Sequence, residues 1–518
     1  MRLGAIDVGT NSIHLIVVEV DPESLSTSTV FKAREMVRLG ADDALERGTL
    51  GKRAMSRAVE AIARFVRLAR ERGAERIRAV ATSAVREAQN GKEFALEVRR
   101  LCGISLEILD EREEARLIYL GVARNFPIYE RLACIIDIGG GSTEFIVADD
   151  RRAYLLESVK LGSLRLYDAY LRGDEPPYPR YPQLVAQIHT LLEPVARRLR
   201  EFDCDVFIGT SGTIMGLGML DAAERGDRLL NIHGHVVTLE RLRALQARML
   251  ALGESGRRAL PGMNARRADI IVAGAAILIE ALGGIGAREI VVSQHALREG
   301  VVIDLVQADS DIARRLDDLR TRRREAIVSL ARRYQSAGLH ERSVARLSLR
   351  IFDDLTPYVT LQPPDRELLY AAALLHDIGK FVNLSAHHKH SAYLIRNSPL
   401  DGWSQAERET LATLVRYHRK SQPKSTHPEW ENLTPAHQDR IALLAGILRA
   451  ADGLDVRHQG RVGDVRLRFG STAVVLEVDG DDDVTSELAA AEFKADLLGK
   501  ALGRTVTTRG TAAVRKEA

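Results

Sequence analysis

Apolar residues open the chain in two short blocks, Leu3–Ile6 and Ile13–Val20, separated by the polar segment Asp7–Ser12. Blocks of this length around a glycine-containing turn read as strand, turn, strand. From Lys52 to Glu71 the spacing changes. Ala54, Ala58, Ile62, Phe65, Val66 and Ala69 share one face of a 3.6-residue period, which predicts an amphipathic helix. "IRAVATSAVREA" reads as strand, turn and helix start, and "DEREEARLIYLGVA" as a further helix.

The pattern then returns. Shifted by 130 positions, Ile6, Asp7, Gly9, Ser12, Ile16 and Val17 fall on Ile136, Asp137, Gly139, Ser142, Ile146 and Val147, all identical. The repeat keeps the strand–turn–strand rhythm, so it implies two similar α/β halves, each presenting an Asp-x-Gly turn. Duplicated α/β halves place a ligand in the cleft between them. The second half runs through the proline-rich loop "RGDEPPYPRYP", the strand–turn–helix "DVFIGTSGTIMGLG", the apolar helix "RADIIVAGAAILIEAL", the strand "EIVVS" and "HALREGVVIDLV".

After Asp309 the texture becomes helical, from 311 to 455. The tail, 461–518, reads as two short strands, "VRLRF" and "AVVLEVD", and a helix around Leu488–Leu502. The expected organisation is α/β domain I (1–124), α/β domain II (125–307), a helical domain (308–458) and a small α+β subdomain (459–518).

Composition narrows the function classes. A chain of 518 residues exceeds one ordinary domain, and 45% hydrophobic with 28% charged residues fits a soluble protein with large cores. Net charge is only +3, too mild to indicate a nucleic-acid binder. No run reaches the roughly 18 apolar residues of a spanning helix, so no membrane role is expected. Cys102, Cys134 and Cys204 lack metal spacing and read as reduced thiols of a cytoplasmic protein.

The stretch "ACIIDIGGGSTEF" carries the candidate chemistry. A dinucleotide fingerprint needs glycine at its sixth position, where Glu144 stands, and a P-loop needs a lysine that is absent. What remains is a strand, Asp137, three glycines (Gly139, Gly140, Gly141), Ser142, Thr143 and Glu144. Such a turn lets backbone N–H groups converge on an oxyanion, with two hydroxyls beside them. The carboxylates of Asp137 and Glu144 would repel phosphate unless a bridging Mg²⁺ or Mn²⁺ lay between. The first repeat offers Asp7, Gly9, Thr10, Asn11 and Ser12; other strand ends offer Ser83 and Arg86, and Ser211, Gly212 and Thr213. Glu111, Glu113 and Glu114 open one helix, where acids also simply complement the dipole.

Taken together, "AIDVGTNSIHL", "ATSAVREA", "EEARLIYLG", "IDIGGGSTEF", "GTSGTI" and "ALREGVV" resemble the exopolyphosphatase/guanosine pentaphosphate phosphatase family, in colinear order over residues 1–305. The resemblance implies an actin-like fold and hydrolytic release of a terminal phosphate from inorganic polyphosphate or from pppGpp. It further implies that Glu114 orients or deprotonates water, that Asp137 and Glu144 are the metal-linked acids, and that Arg86 contacts phosphate. A homodimer is implied as well. His295 departs from the family pattern, which has a small residue there. A rival expectation is an ATP-switched regulator of the actin/Hsp70 type, with the same acids serving slow ATP turnover.

In the helical region, His340 continues the stripe of Val344, Leu347 and Ile351. Asp452 ends the stripe Ile441, Ala445, Leu448, and His418 shares a face with Leu411, Leu414 and Val415. Each polar residue therefore points inward, where it needs a partner. With His376–Asp377 in "YAAALLHDIGKF", the order His, His-Asp, Asp resembles the HD phosphohydrolase superfamily. That implies a divalent metal on His340, His376, Asp377 and Asp452, with His390 and His418 as further contacts.

Overall fold

The computed structural model describes the chain except residues 21–26, 42–46, 127, 129–130, 151, 228, 230, 309, 420–421, 432, 471, 481–482 and 512–518. It divides into two compact units, Met1–Ala313 and Arg314–Ala518.

The first unit contains two sheets. β1 (Arg2–Val8), β2 (Ser12–Val20), β3 (Thr27–Met36), β4 (Arg76–Ala81) and β5 (Leu106–Ile108) lie in the order β3-β2-β1-β4-β5. The second sheet holds β6 (Ala133–Ile138), β7 (Thr143–Ala148), β8 (Ala153–Val159), β9 (Val206–Thr210), β10 (Val236–Thr238) and β11 (Glu289–Val292). Its order is β8-β7-β6-β9-β11-β10. Both begin with an antiparallel three-strand meander and add two parallel strands beyond the first, and the second sheet ends on β10, antiparallel to β11. The duplication is therefore one of topology, and it extends to register. Asp7 pairs His14 in β1–β2, and Asp137 pairs Glu144 in β6–β7, 130 positions on. The turn itself repeats: Gly9 N–H donates to Ser12 O at 3.1 Å, and Gly139 N–H to Ser142 O at 2.9 Å.

The helix at Lys52–Glu71 forms where its periodicity places it, burying Ala58, Val59, Ala61, Ile62, Phe65, Val66 and Ala69. β3, β8 and β10 carry no clean apolar alternation and were not expected from the sequence. The cysteines are unpaired.

In the second unit the helices Leu339–Leu355, Pro363–Leu375, His387–Asn397, Gln405–Arg416 and Pro435–Gly453 surround one apolar core. The tail adds β12 (Val462–Phe469), β13 (Ala473–Gly480), two helices (Thr485–Lys494 and Asp496–Leu502) and β14 (Thr505–Thr511). β14, rich in threonine and glycine, was unexpected; it pairs parallel to β13. Val462, Val465, Val474, Leu476, Val478 and Leu498 belong to the same core as the helices. The tail thus completes the helical domain rather than forming a core of its own. Among the described residues, no helix is long and apolar enough to cross a membrane.

Candidate functional site

β6 and β7 are buried along their whole length. Strands buried on both faces are almost uniformly apolar, yet Asp137 and Glu144 sit opposite each other in this pair. Both face a cleft of about 140 Å³ between the two sheets' turns. Asp7, Gly9, Thr10, Asn11 and Ser12 line it from the first repeat, and Gly139, Gly140, Gly141 and Ser142 from the second. Ser83, Glu114, Ser211 and Gly212 complete the predicted set. The two turns approach closely: a Cβ on Gly141 would meet Ser83 Oγ, with Thr10 Oγ1 at 3.1 Å. Only glycine allows that contact.

The acidic helix resolves into distinct roles. Asp110 caps it, accepting from Glu113 N–H at 2.7 Å. Glu113 turns away to Arg116 at 2.7 Å. Glu114 alone of the three acids enters the cleft. Arg86 Nη1 donates to Glu114 Oε2 at 2.6 Å and to the Leu109 carbonyl at 3.1 Å.

The electrostatics are those of an acid cluster. Burial, then repulsion from Glu114, pushes Asp7 up to about 7. Burial, Glu114 and Asp7 push Asp137 up to about 8. Glu144 rises well above 4.5 for the same reasons, and burial raises Glu114 even though Arg86 opposes it. Asp7 Oδ1 and both side-chain polar atoms of Asn11 lack hydrogen-bond partners. Buried carboxylates with one guanidinium among them, beside unsatisfied oxygens, suit a hard divalent cation. Among the described residues, no three of these acids bring ligand atoms within 4.8 Å of one another.

Two cations of the cleft were not singled out from the sequence. Arg267 and Arg298 line the cleft. Arg267 is 8% exposed, its Nε has no hydrogen-bond partner, and it forms no ion pair among the described residues. Burial, then Arg34, lowers its pKa to about 9. Its guanidinium occupies the space a Cβ on Gly212 would need. Arg298 donates to Glu299 at 2.9 Å and contacts His14 Nδ1 at 3.0 Å. "ALREGVV" contains Arg298, but nothing in its spacing marks it; Arg267 sits before an apolar helix where arginine is unremarkable.

Three predicted phosphate contacts lie elsewhere. Thr143 alternates away from Glu144 and donates to the Leu161 carbonyl at 2.5 Å. Thr213 packs its methyl group on Gly274. Arg86 does not line the cleft, being committed to Glu114. Ser83 lines it but donates its hydroxyl to Glu87 at 2.7 Å. The loop at His295 is ordered by its backbone: its carbonyl accepts from Thr210 Oγ1 at 2.8 Å.

In the second unit, His340, His376, Asp377, Asp452 and His418 converge as expected. His340 Nε2 lies 3.8 Å from Asp377 Oδ2 and 3.5 Å from Asp452 Oδ1; His376 Nε2 lies 3.4 and 4.0 Å from the same atoms. His390 is a correction. It is half-buried and joins no group of donors, whereas His387, at the first position of its helix, reaches Asp377 Oδ1 at 3.1 Å. Asp377 is held well below the carboxylate range: burial opposes this, but His376, His387, His418 and Lys380 outweigh it.

The repeated sheet order and its interlobe cleft define an actin-like α/β phosphohydrolase unit, and the second unit is a helical domain with a buried histidine–aspartate cluster. The profile of the Ppx/GppA phosphatase family matches residues 16–309, and that of Ppx/GppA phosphatase, domain III, matches 322–491. The chain belongs to the Ppx/GppA phosphatase family. A guanosine-5'-triphosphate,3'-diphosphate pyrophosphatase of Aeromonas hydrophila is 30% identical, covering 91% of both chains. A Vibrio cholerae protein of the same name is 29% identical, covering 95% of this chain and 94% of its own. Among solved structures, an exopolyphosphatase from Cytophaga hutchinsonii is 25% identical with a TM-score of 0.56 over 60% of this chain and 98% of its own. An Aquifex aeolicus family member is 26% identical with a TM-score of 0.52, likewise covering 60% and 98%.

Proposed function

We propose that the cleft releases terminal orthophosphate from inorganic polyphosphate with the help of Mg²⁺ or Mn²⁺. One observation carries this reading: the buried carboxylates of Glu114, Asp137 and Glu144, with half-buried Asp7, share a cleft lined by two Asp-x-Gly turns with a buried arginine, Arg267, whose Nε has no hydrogen-bond partner. Asp137 and Glu144 would hold the cation, which supplies charge neutralisation to the phosphate when bound. Glu114 accepts the proton of the attacking water, with Arg86 fixing the orientation of its carboxylate. The backbone N–H groups of the Gly139–Ser142 turn bind phosphate oxygens. Arg267 offsets the charge that builds on them.

A second reading, pppGpp 5'-phosphohydrolase at the same site, is favoured by the names of the relatives that match over nearly the whole chain. In the second unit, the histidine–aspartate group holds a divalent metal. We also propose that the protein acts in the cytoplasm, as a homodimer and without nucleic acid. The deciding experiment measures phosphate release from polyphosphate, pppGpp and ATP side by side with Mg²⁺. Fastest turnover of polyphosphate supports the first reading, and of pppGpp the second. Tight ATP binding without turnover of either would overturn both.

A further inference from the structure

The glycine turn of the second repeat is held from behind by one short segment. Ser163 N–H donates to the Gly139 carbonyl at 3.0 Å, and Ser163 Oγ to the same oxygen at 3.1 Å. The N–H groups of Leu164 and Arg165 donate to the Gly140 carbonyl at 3.0 and 3.1 Å. Arg165 Nε donates to the Gly141 carbonyl at 2.8 Å. The segment reaches the turn because Gly162 has no side chain: a Cβ there would strike the Gly140 carbonyl.

Three carbonyls bound on one side fix three N–H groups on the other. In a trans peptide the C=O and the following N–H point in opposite directions. The N–H groups of Gly140, Gly141 and Ser142 therefore point away from the segment, and all three residues line the cleft. Among the described residues, none of these N–H groups donates to another group of the chain.

The first repeat is tied differently. Its equivalents of Gly140 and Gly141 are Thr10 and Asn11, whose carbonyls accept from the backbone N–H groups of Gly40 at 3.0 Å and Arg38 at 2.9 Å. Of these four carbonyls, that of Gly141 alone is held by a side chain, and the side chain is anchored in turn. Arg165 Nη2 donates to Glu87 Oε1 at 2.7 Å, with the two side chains 17% and 15% exposed. The same oxygen accepts from Ser83 Oγ at 2.7 Å. Glu87 follows β4 of the first sheet, and Arg165 follows β8 of the second. Neither residue lines the cleft.

We infer that Arg165 is a positioning residue of the phosphate cradle, turning the Gly141–Ser142 peptide so that its N–H faces the bound phosphate, and that Glu87 acts through it. The inference rests on the proposed phosphate-releasing role of the cleft and adds the device that shapes its anion site. Freed of the guanidinium, that peptide can rotate, because glycine on one side imposes little steric barrier. It would then offer phosphate a carbonyl oxygen, which repels it, in place of an N–H. The planar fork of arginine spans carbonyl and carboxylate at once, which the single ammonium of lysine does less well.

The test measures inorganic phosphate binding by calorimetry with Mg²⁺ present, and steady-state hydrolysis of polyphosphate and pppGpp, all with the full chain. Arg165→Met should weaken phosphate on the order of tenfold and raise KM to match. Its kcat should stay within about threefold, because the cradle holds ground state and transition state alike. Mg²⁺ affinity without phosphate should not change. Arg165→Lys should recover part of the loss. Glu87→Gln, which keeps an acceptor for Ser83, should raise KM in the wild-type background and add nothing to Arg165→Met. Wild-type phosphate affinity in Arg165→Met overturns the inference and leaves the function of the cleft intact. Loss of Mg²⁺ affinity along with phosphate marks Arg165 as general support and overturns it too. An equal Glu87→Gln effect in both backgrounds overturns the link through Arg165. If Arg165→Met does not fold, Arg165→Lys and Glu87→Gln carry the test: a raised KM supports the inference, and an unchanged KM in both overturns it. A wild-type chain that neither binds phosphate nor hydrolyses either substrate overturns the reading of the cleft itself.

Discussion

Arg86 and Glu114 form a buried ion pair, 2.6 Å between Nη1 and Oε2, with side chains only 14% and 8% exposed. The pair ties the helix that carries the proposed base to the short helix Ser83–Glu87 and influences when that base is ionised. Burial raises Glu114 above 4.5, and Arg86 holds the rise back. The base works only as a carboxylate, so activity falls as pH drops through its folded-state pKa. The acid limb of kcat/KM should therefore lie above 4.5. Arg86→Gln should move that limb further upward, since it removes the opposing charge. Glu114→Gln should lower kcat by roughly 10²–10⁴-fold with phosphate affinity retained. A pH profile of the three proteins checks this; an acid limb that stays put in Arg86→Gln would refute the coupling.

Cation binding in the cleft should be proton-linked. Asp7 and Asp137 carry protons below about 7 and about 8, because burial and neighbouring carboxylates disfavour their charge. A cation must displace those protons. Mg²⁺ affinity should thus strengthen as pH rises from 6 to 8 and level off above, approaching tenfold per pH unit for each proton displaced. Calorimetry in buffers of different ionisation enthalpy reads the released protons directly. Affinity independent of pH over that window would show that Asp137 is not a ligand.

How far the sequence carried depended on what each position must satisfy locally. The duplicated hairpin was legible because strand, turn and register all repeat together, down to Asp7 opposite His14 and Asp137 opposite Glu144. Glu114 could be separated from Glu111 and Glu113 only through the family resemblance, since all three suit a helix start equally. The structure supplies the local reason: Glu113 is drawn off by Arg116. Thr143 failed because alternation along β7 sends it away from the face that Glu144 occupies. His387 and His390 stand one helical turn apart, so no periodicity separates them; the helix start decides. Arg267 was invisible because its role depends on Gly212, distant in sequence, giving it space.

Arg267 offers a test in which stability and activity move in opposite directions. It is buried, unpaired and held below its normal pKa by burial and Arg34. Such a charge is costly in the free protein. Arg267→Met should stabilise the first unit by on the order of 1–3 kcal/mol, while lowering kcat/KM by roughly 10²–10³-fold. Denaturant unfolding and steady-state kinetics measured together check the pairing. A variant that loses stability along with activity would mark Arg267 as structural.

The shared core of the second unit makes the tail indispensable. Val465, Val474, Leu476 and Val478 are fully buried, and they belong to the core of the helices between Leu339 and Gly453. Each buried aliphatic side chain contributes about 1.5–3 kcal/mol, so removing four costs about 6–12 kcal/mol, comparable with the typical stability of a domain. A chain ending at 458 should therefore lose the cooperative unfolding of its helical region and expose apolar surface to a dye such as ANS. A chain ending at 313 retains the whole first unit, and its cooperative transition should survive. Cooperative unfolding of the helical region without the tail would show that residues 459–518 form a separate domain, as their position in the sequence first suggested.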